Sequence, residues 1–139
     1  MDREELMRIV PHRPPMLLVD EVRLEDGGSL ASYTVRGDEW FLQGHFPGNP
    51  VVPGVVLCEM LAQAGCLLIA DQLAGKTPYL TGIKNARFRR KVKPGDTLSI
   101  RCEGQAKKPP FMFIKAEGSV AGEPAVSGEF SFVIEGGEE

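Results

Sequence analysis

Between Val55 and Ala70 the chain reads VVLCEMLAQAGCLLIA, with Glu59 and Gln63 as its only strongly polar side chains. A helix that is apolar nearly all round is stable in water only if other elements cover it. The rest of the chain must therefore be organised as its wrapping. Ahead of it, Gln43 to Gly54 (QGHFPGNPVVPG) carries Pro47, Gly48, Pro50, Pro53 and Gly54. These residues fix or permit unusual backbone angles and predict a rigid loop over 44–54. The helix is expected to begin near Pro53-Gly54 and to stop before Gly75, a residue suited to the position after a helix. From Val55 to Leu73 it would extend about 28 Å. Val51 to Ala70 is close to membrane-spanning length. Proline, glycine, Glu59 and Gln63 interrupt it, however, and its surroundings read as strands, so burial in protein is the expectation.

Residues 3–9 can form a short amphipathic helix, and His12-Arg13-Pro14-Pro15 must be extended or turned, because proline biases its predecessor away from the helix. Met16–Val22 reads as a first strand. Ser29–Arg36 reads as a second, with Leu30, Tyr33 and Val35 as candidate inward residues, and Asp26-Gly27-Gly28 as the turn between them. Gly37–Leu42 leads into the rigid loop. After the helix, Tyr79–Val92 reads as a strand with a basic outer aspect, and Pro94-Gly95-Asp96 as a turn. Thr97–Cys102 alternates Leu98, Ile100 and Cys102 against polar residues, as a half-buried strand should. Phe111–Ala116 and Phe130–Ile134 complete the set, the latter alternating Phe130, Phe132 and Ile134 against Ser131 and Val133. The economical packing is α+β, an antiparallel sheet curled around one long helix. One sheet layer leaves a side of that helix uncovered, and an isologous dimer would cover it.

At 139 residues the whole chain, 1–139, is expected to be a single domain with a frayed tail over 135–139. A net charge of −3 gives no global case for nucleic acid or a membrane surface as partner. Cys58, Cys66 and Cys102 lack metal-ligand spacing and read as reduced, buried thiols. The N-terminus, MDREELMRIV, has no signal-like apolar core, which predicts a cytoplasmic protein.

His45 and Glu59 are the candidate catalytic pair. A histidine can accept a proton near neutral pH. A carboxyl on an apolar helix face can be kept protonated by desolvation and serve as an acid. The Gly54 N–H, where the helix starts, is free of the helix ladder and aimed by its dipole, a place to hold a carbonyl oxygen that gains charge. Base, acid and carbonyl polariser together fit abstraction of a proton α to a carbonyl with loss of a β leaving group. The same residues have quieter readings. His45 could hydrogen-bond its own loop, Glu59 and Gln63 could be polar contacts at a dimer interface, and His12 reads as a surface or loop-packing residue.

The words PHRPPMLLVDEV, FLQGHFPGNPVVPGVVLCEMLAQAG and ARFRRKVKPGDTL, running in order from Pro11 to Leu98, resemble the β-hydroxyacyl–acyl-carrier-protein dehydratases of type II fatty-acid synthesis, FabZ type, a hotdog-fold family. The resemblance implies a hotdog fold, a dimer with a continuous sheet, and commonly a trimer of dimers, a hexamer. It implies a lyase that removes water from a (3R)-hydroxyacyl thioester carried by acyl-carrier protein, with no cofactor and no metal. By resemblance His45 is the catalytic histidine and Glu59 the catalytic acid, paired across the dimer interface. Gly54 supplies the N–H that polarises the thioester carbonyl, the Val51 carbonyl orients the histidine ring, and Gln63 supports the acid. The relatives that also isomerise typically carry aspartate at the acid position, so Glu59 favours the plain dehydratase. Lys84, Arg87, Arg89, Arg90 and Lys91 form a basic run that could dock an acidic carrier protein or be a solvated strand face. Alternation would send Arg87, Arg89 and Lys91 one way and Phe88 and Arg90 the other. A thioesterase of the same fold and a non-catalytic acyl-binding module remain the competing readings.

Overall fold

In the computed structural model the described residues are 1–8, 10–25, 27–44, 48–68 and 76–136, without the side chains of Ala106 and Lys107. The elements in chain order are helix α1 (Arg3–Met7), strands β1 (Glu21–Glu25) and β2 (Gly28–Thr34), a 3-10 turn (Trp40–Leu42), and helix α2 (Gly54–Cys66). Four strands follow, β3 (Lys76–Phe88), β4 (Thr97–Lys108), β5 (Phe111–Val120) and β6 (Glu123–Gly136). The strands form one antiparallel sheet in the order β1-β2-β4-β5-β6-β3, and α2 packs on its inner face. This is the α+β arrangement expected from the sequence.

α1 starts with a capping box in which the Asp2 side chain accepts from Glu5 N–H and Glu5 accepts from Asp2 N–H. Its Leu6 is fully buried. From α2, Met60, Leu61, Ala64 and Cys66 are buried against Leu98, Ile100, Ile114 and Phe130 of the sheet. The alternation of β4 and β6 appears as read, with Leu98, Ile100, Cys102, Phe130 and Phe132 inward. In the Lys93–Asp96 turn, the Asp96 N–H donates to the Lys93 carbonyl at 3.0 Å, and Gly95 takes the positive φ of 92° that the third position needs.

Several expectations are corrected. The first strand begins at Glu21 rather than Met16, because the Met16 and Leu18 backbone bonds go to a helix side chain instead of a neighbouring strand. In β2 the buried residues are Ser29, Ala31 and Tyr33, so Leu30 faces outward. Leu30 and Tyr33 are an odd number of residues apart and cannot share a face. The α-helix ends at Cys66, with Leu67 as its C-cap. Its expected continuation through Ile69–Leu73 and the stop at Gly75 lie outside the described residues, as does the tail beyond Gly136. Glu135 and Gly136, expected to fray, pair with Thr77 and Lys76.

β3 lies at an edge of the sheet, and two register shifts interrupt its pairing with β6. At the second, Asn85 adopts a positive φ of 55°, and the chain gains a residue between the Lys84–Glu129 and Arg87–Ser127 pairs. Leu80 and Ile83 pair with the inward Phe132 and Phe130, yet they are 43% and 42% exposed. An inner-face residue so open shows that the described chain does not cover this end of its own sheet.

Candidate active site

The site is built where the loop enters α2. The Val52 N–H donates to the Val92 carbonyl at 2.8 Å, and the Pro53 carbonyl accepts from Val56 and Leu57, setting the first turn. Gly54 is the first helical residue, so its N–H has no acceptor within the helix. A Cβ there would sit 3.0 Å from the Phe88 ring, so the glycine keeps the approach to this N–H narrow but open. Val51 is buried beside it.

Glu59 is a turn and a half further along, its side chain 30% exposed. Gln63, one turn on, is 2% exposed and fully bonded. Its Oε1 accepts the Leu18 N–H at 2.7 Å. Its Nε2 donates to the Met16 carbonyl at 2.6 Å and to Glu59 Oε2 at 2.8 Å. The Leu18 donor requires the amide oxygen on its side, which turns the NH2 toward Glu59. The direction of the Gln63–Glu59 bond is therefore set by the main chain of the segment after α1.

His12 approaches the same carboxyl, with Nε2 3.6 Å from Glu59 Oε2. Burial pushes the His12 pKa below 6.5, and the neighbouring Glu59 charge opposes this only in part. Cys66, also beside Glu59, has its thiol pushed up to about 12, chiefly by burial. These residues line a cavity of about 170 Å³ that opens past Tyr79 and Leu80 of β3, the uncovered edge. A carboxyl with one oxygen tied to an N–H donor, beside a small cavity with mixed polar and apolar walls, can exchange a proton with a bound molecule.

Of the residues singled out in the sequence, Glu59 and Gln63 are brought together and Gly54 and Val51 lie at the start of the same helix. His45 lies outside the described residues. The basic run is not gathered into one patch. Lys84 and Arg87 pair outward on either side of the Asn85 bulge, and Arg90 is ion-paired with Glu123. Arg89 lines a different cavity, of about 590 Å³, on the outer face of the sheet with Arg23, Arg101 and Glu117. Phe88 pairs with the buried Val126 and so turns opposite to Arg87, as alternation requires. Among the described residues no group of three potential ligands could hold a metal ion, and no helix is long and apolar enough to cross a membrane. His12, expected at the surface or packing its own loop, is instead part-buried beside Glu59. Its approach to Glu59 spans a separation that no local pattern reports.

A family model described as a FabA-like domain matches residues 10–129. The 3-hydroxyacyl-[acyl-carrier-protein] dehydratase FabZ of Latilactobacillus sakei is 45% identical, over 97% of this chain and 99% of its own. The protein of the same name from Clostridium novyi is 47% identical, over 94% and 95%. In three dimensions the chain is similar to the dehydratase heterocomplex ApeI:P from Xenorhabdus doucetiae, with a TM-score of 0.81, 23% identity, and coverage of 94% and 90%. A Pseudomonas aeruginosa thioesterase follows at a TM-score of 0.70 and 15% identity, over 96% and 94%, a likeness of fold alone. Helix, sheet and matched sequence agree: the chain belongs to the FabA-like family and is a hotdog-fold protein of the FabZ dehydratase type.

Proposed function

We propose that the protein, a single domain over 1–139, is a (3R)-hydroxyacyl-[acyl-carrier-protein] dehydratase of type II fatty-acid biosynthesis, working in the cytoplasm. The observation that carries this reading is the Glu59 carboxyl, fixed by Gln63 at a cavity that opens on the uncovered edge of β3. In a member of this family, such a carboxyl suits proton delivery to a leaving hydroxyl.

In the proposed reaction His45 of a second copy takes the C2 proton of the thioester, its ring oriented by the Val51 carbonyl. The Gly54 N–H steadies the oxygen that gains charge as C2 is deprotonated. The C3–O bond then breaks, its hydroxyl leaves with a proton from Glu59 as water, and the C2–C3 double bond remains. The exposed inner-face residues of β3 support a homodimer, and three such dimers would make a hexamer. Lys84, Arg87, Arg89, Arg90 and Lys91 would steer an acidic carrier protein, Arg90 only after exchange of its Glu123 partner.

The test runs the reaction backwards. Wild-type protein should hydrate a crotonoyl thioester, with loss of the enoyl-thioester ultraviolet absorbance. His45→Ala and Glu59→Gln should each fall by about 10²-fold or more, and a refolded mixture of the two should regain part of the activity. Release of free thiol without hydration would replace this reading with a thioesterase, and no turnover would replace it with an acyl-binding module.

A further inference from the structure

Outside the residues assigned to the reaction above, a part-buried histidine faces the Glu59 carboxyl. His12 sits in the extended run after α1, braced by Arg13, whose guanidinium donates to the Val10 and His12 carbonyls at 2.9 and 2.8 Å. Its Nδ1 is buried and has no hydrogen-bond partner among the described residues. A proton on Nδ1 would be stranded there, so the neutral ring carries its proton on Nε2, facing the carboxyl 3.6 Å away. Burial, reinforced by the Arg13 charge, keeps the ring neutral, against the pull of Glu59.

Gln63 makes the other approach, its NH2 turned toward Glu59 by the Leu18 N–H. The Gln63 amide thus bonds Oε2 at 2.8 Å, the His12 Nε2 faces the same oxygen from 3.6 Å, just beyond hydrogen-bonding distance, and no hydrogen bond among the described residues engages Oε1. We propose that His12 is a positioning residue which, with Gln63, commits Oε2 of Glu59 to accepting hydrogen bonds, so that the transferable proton resides on Oε1. The inference rests on the dehydratase reading. In elimination the Oε1 proton leaves with the hydroxyl as water, and the charge left behind is met at Oε2 by the Gln63 amide and the facing His12 N–H. In hydration the ionised Oε1 takes the proton from water.

The experiment compares wild type with His12→Gln and His12→Asn, both small and polar. Glutamine can place an N–H near the position of Nε2, whereas asparagine reaches only that of Nδ1. The other titratable or charged groups around the carboxyl are Arg13, Cys66 and Tyr79 among the described residues and, in this reading, His45 of a second copy. None of them is altered. In crotonoyl-thioester hydration, His12→Asn should move the acid limb of the pH–rate profile upward by about one unit, lowering kcat on that limb about tenfold. KM should stay constant, and His12→Gln should keep the wild-type limb. The carboxyl 13C resonance of Glu59, assigned by its loss in Glu59→Gln, should titrate with the same displacement. Coincident Asn and Gln profiles, whether both at the wild-type limb or both displaced, overturn the role of His12. A wild type that hydrates nothing overturns the dehydratase reading instead. The 13C titration then still decides whether His12 acts on the carboxyl.

Discussion

Gly65 sits on the face of α2 that meets the sheet, and the closeness of that packing can be tested with one methyl group. A Cβ at this position would lie 1.7 Å from Cδ1 and 3.1 Å from Cγ1 of Ile114. Carbon atoms in good contact are about 3.5–4.0 Å apart, so about 2 Å of movement is required. Ile114 is 1% exposed, so its side chain is packed rather than free to turn into solvent. The overpacking cost of Gly65→Ala should thus fall near the top of the usual range, about 3 kcal/mol. Replacing a helical glycine by alanine returns about 1 kcal/mol. The net is a loss of about 2 kcal/mol, or roughly 8 °C in Tm for a chain of this size. Ile114→Val removes the clashing Cδ1 and by itself should cost about 1 kcal/mol. In the double variant the new methyl occupies the space just vacated, and stability should return to within about 1 kcal/mol of wild type, far from additive. Urea denaturation at one fixed protein concentration, so that self-association does not enter the comparison, measures all four proteins. A Gly65→Ala variant as stable as wild type, or a double variant that shows the sum of the two losses, would refute this account of the helix–sheet contact.

Two further outcomes follow from buried groups. Burial holds His12 below its ordinary value of 6.5, so the folded state binds fewer protons than the unfolded chain as pH falls through that value. Stability should therefore decline on acidification below about pH 6.5, and His12→Gln should lack this component in paired urea titrations at neutral and mildly acidic pH; identical pH dependence in both would show that His12 is not buried as described. Cys58, Cys66 and Cys102 are all buried, and burial pushes Cys66 and Cys102 to about 12. Iodoacetamide at mildly alkaline pH should leave the native thiols unmodified over a period that labels all three in urea, as read by mass spectrometry; prompt native labelling would contradict their burial.

The parts of the fold that were legible in the sequence are those set by local periodicity. The apolar run of α2, the alternation in β4 and β6 and the Pro94-Gly95 turn each carry their own signal. What was misread depends on distant partners. Met16–Asp20 has the apolar character of a strand, but its Met16 carbonyl and Leu18 N–H are taken by Gln63, so the strand proper starts only at Glu21. The basic run looked like one uninterrupted strand, and nothing in its composition announces that Asn85 opens a bulge and places Lys84 on the same side as Arg87. The site was legible in kind, since two polar residues on an oily helix need a reason. The contribution of the segment after α1 was not, because His12 and Leu18 reach α2 only through the tertiary fold.

The Leu18–Gln63 bond places part of the site's chemical polarity in the main chain. The identity of the side chain at 18 can drift among residues that fill the same space, and the amide of Gln63 will still face the same way, because every residue except proline presents the same N–H. A sequence comparison restricted to side chains would therefore overlook the group that decides which atom of Gln63 meets the acid. At this point the fold fixes a direction rather than a side chain.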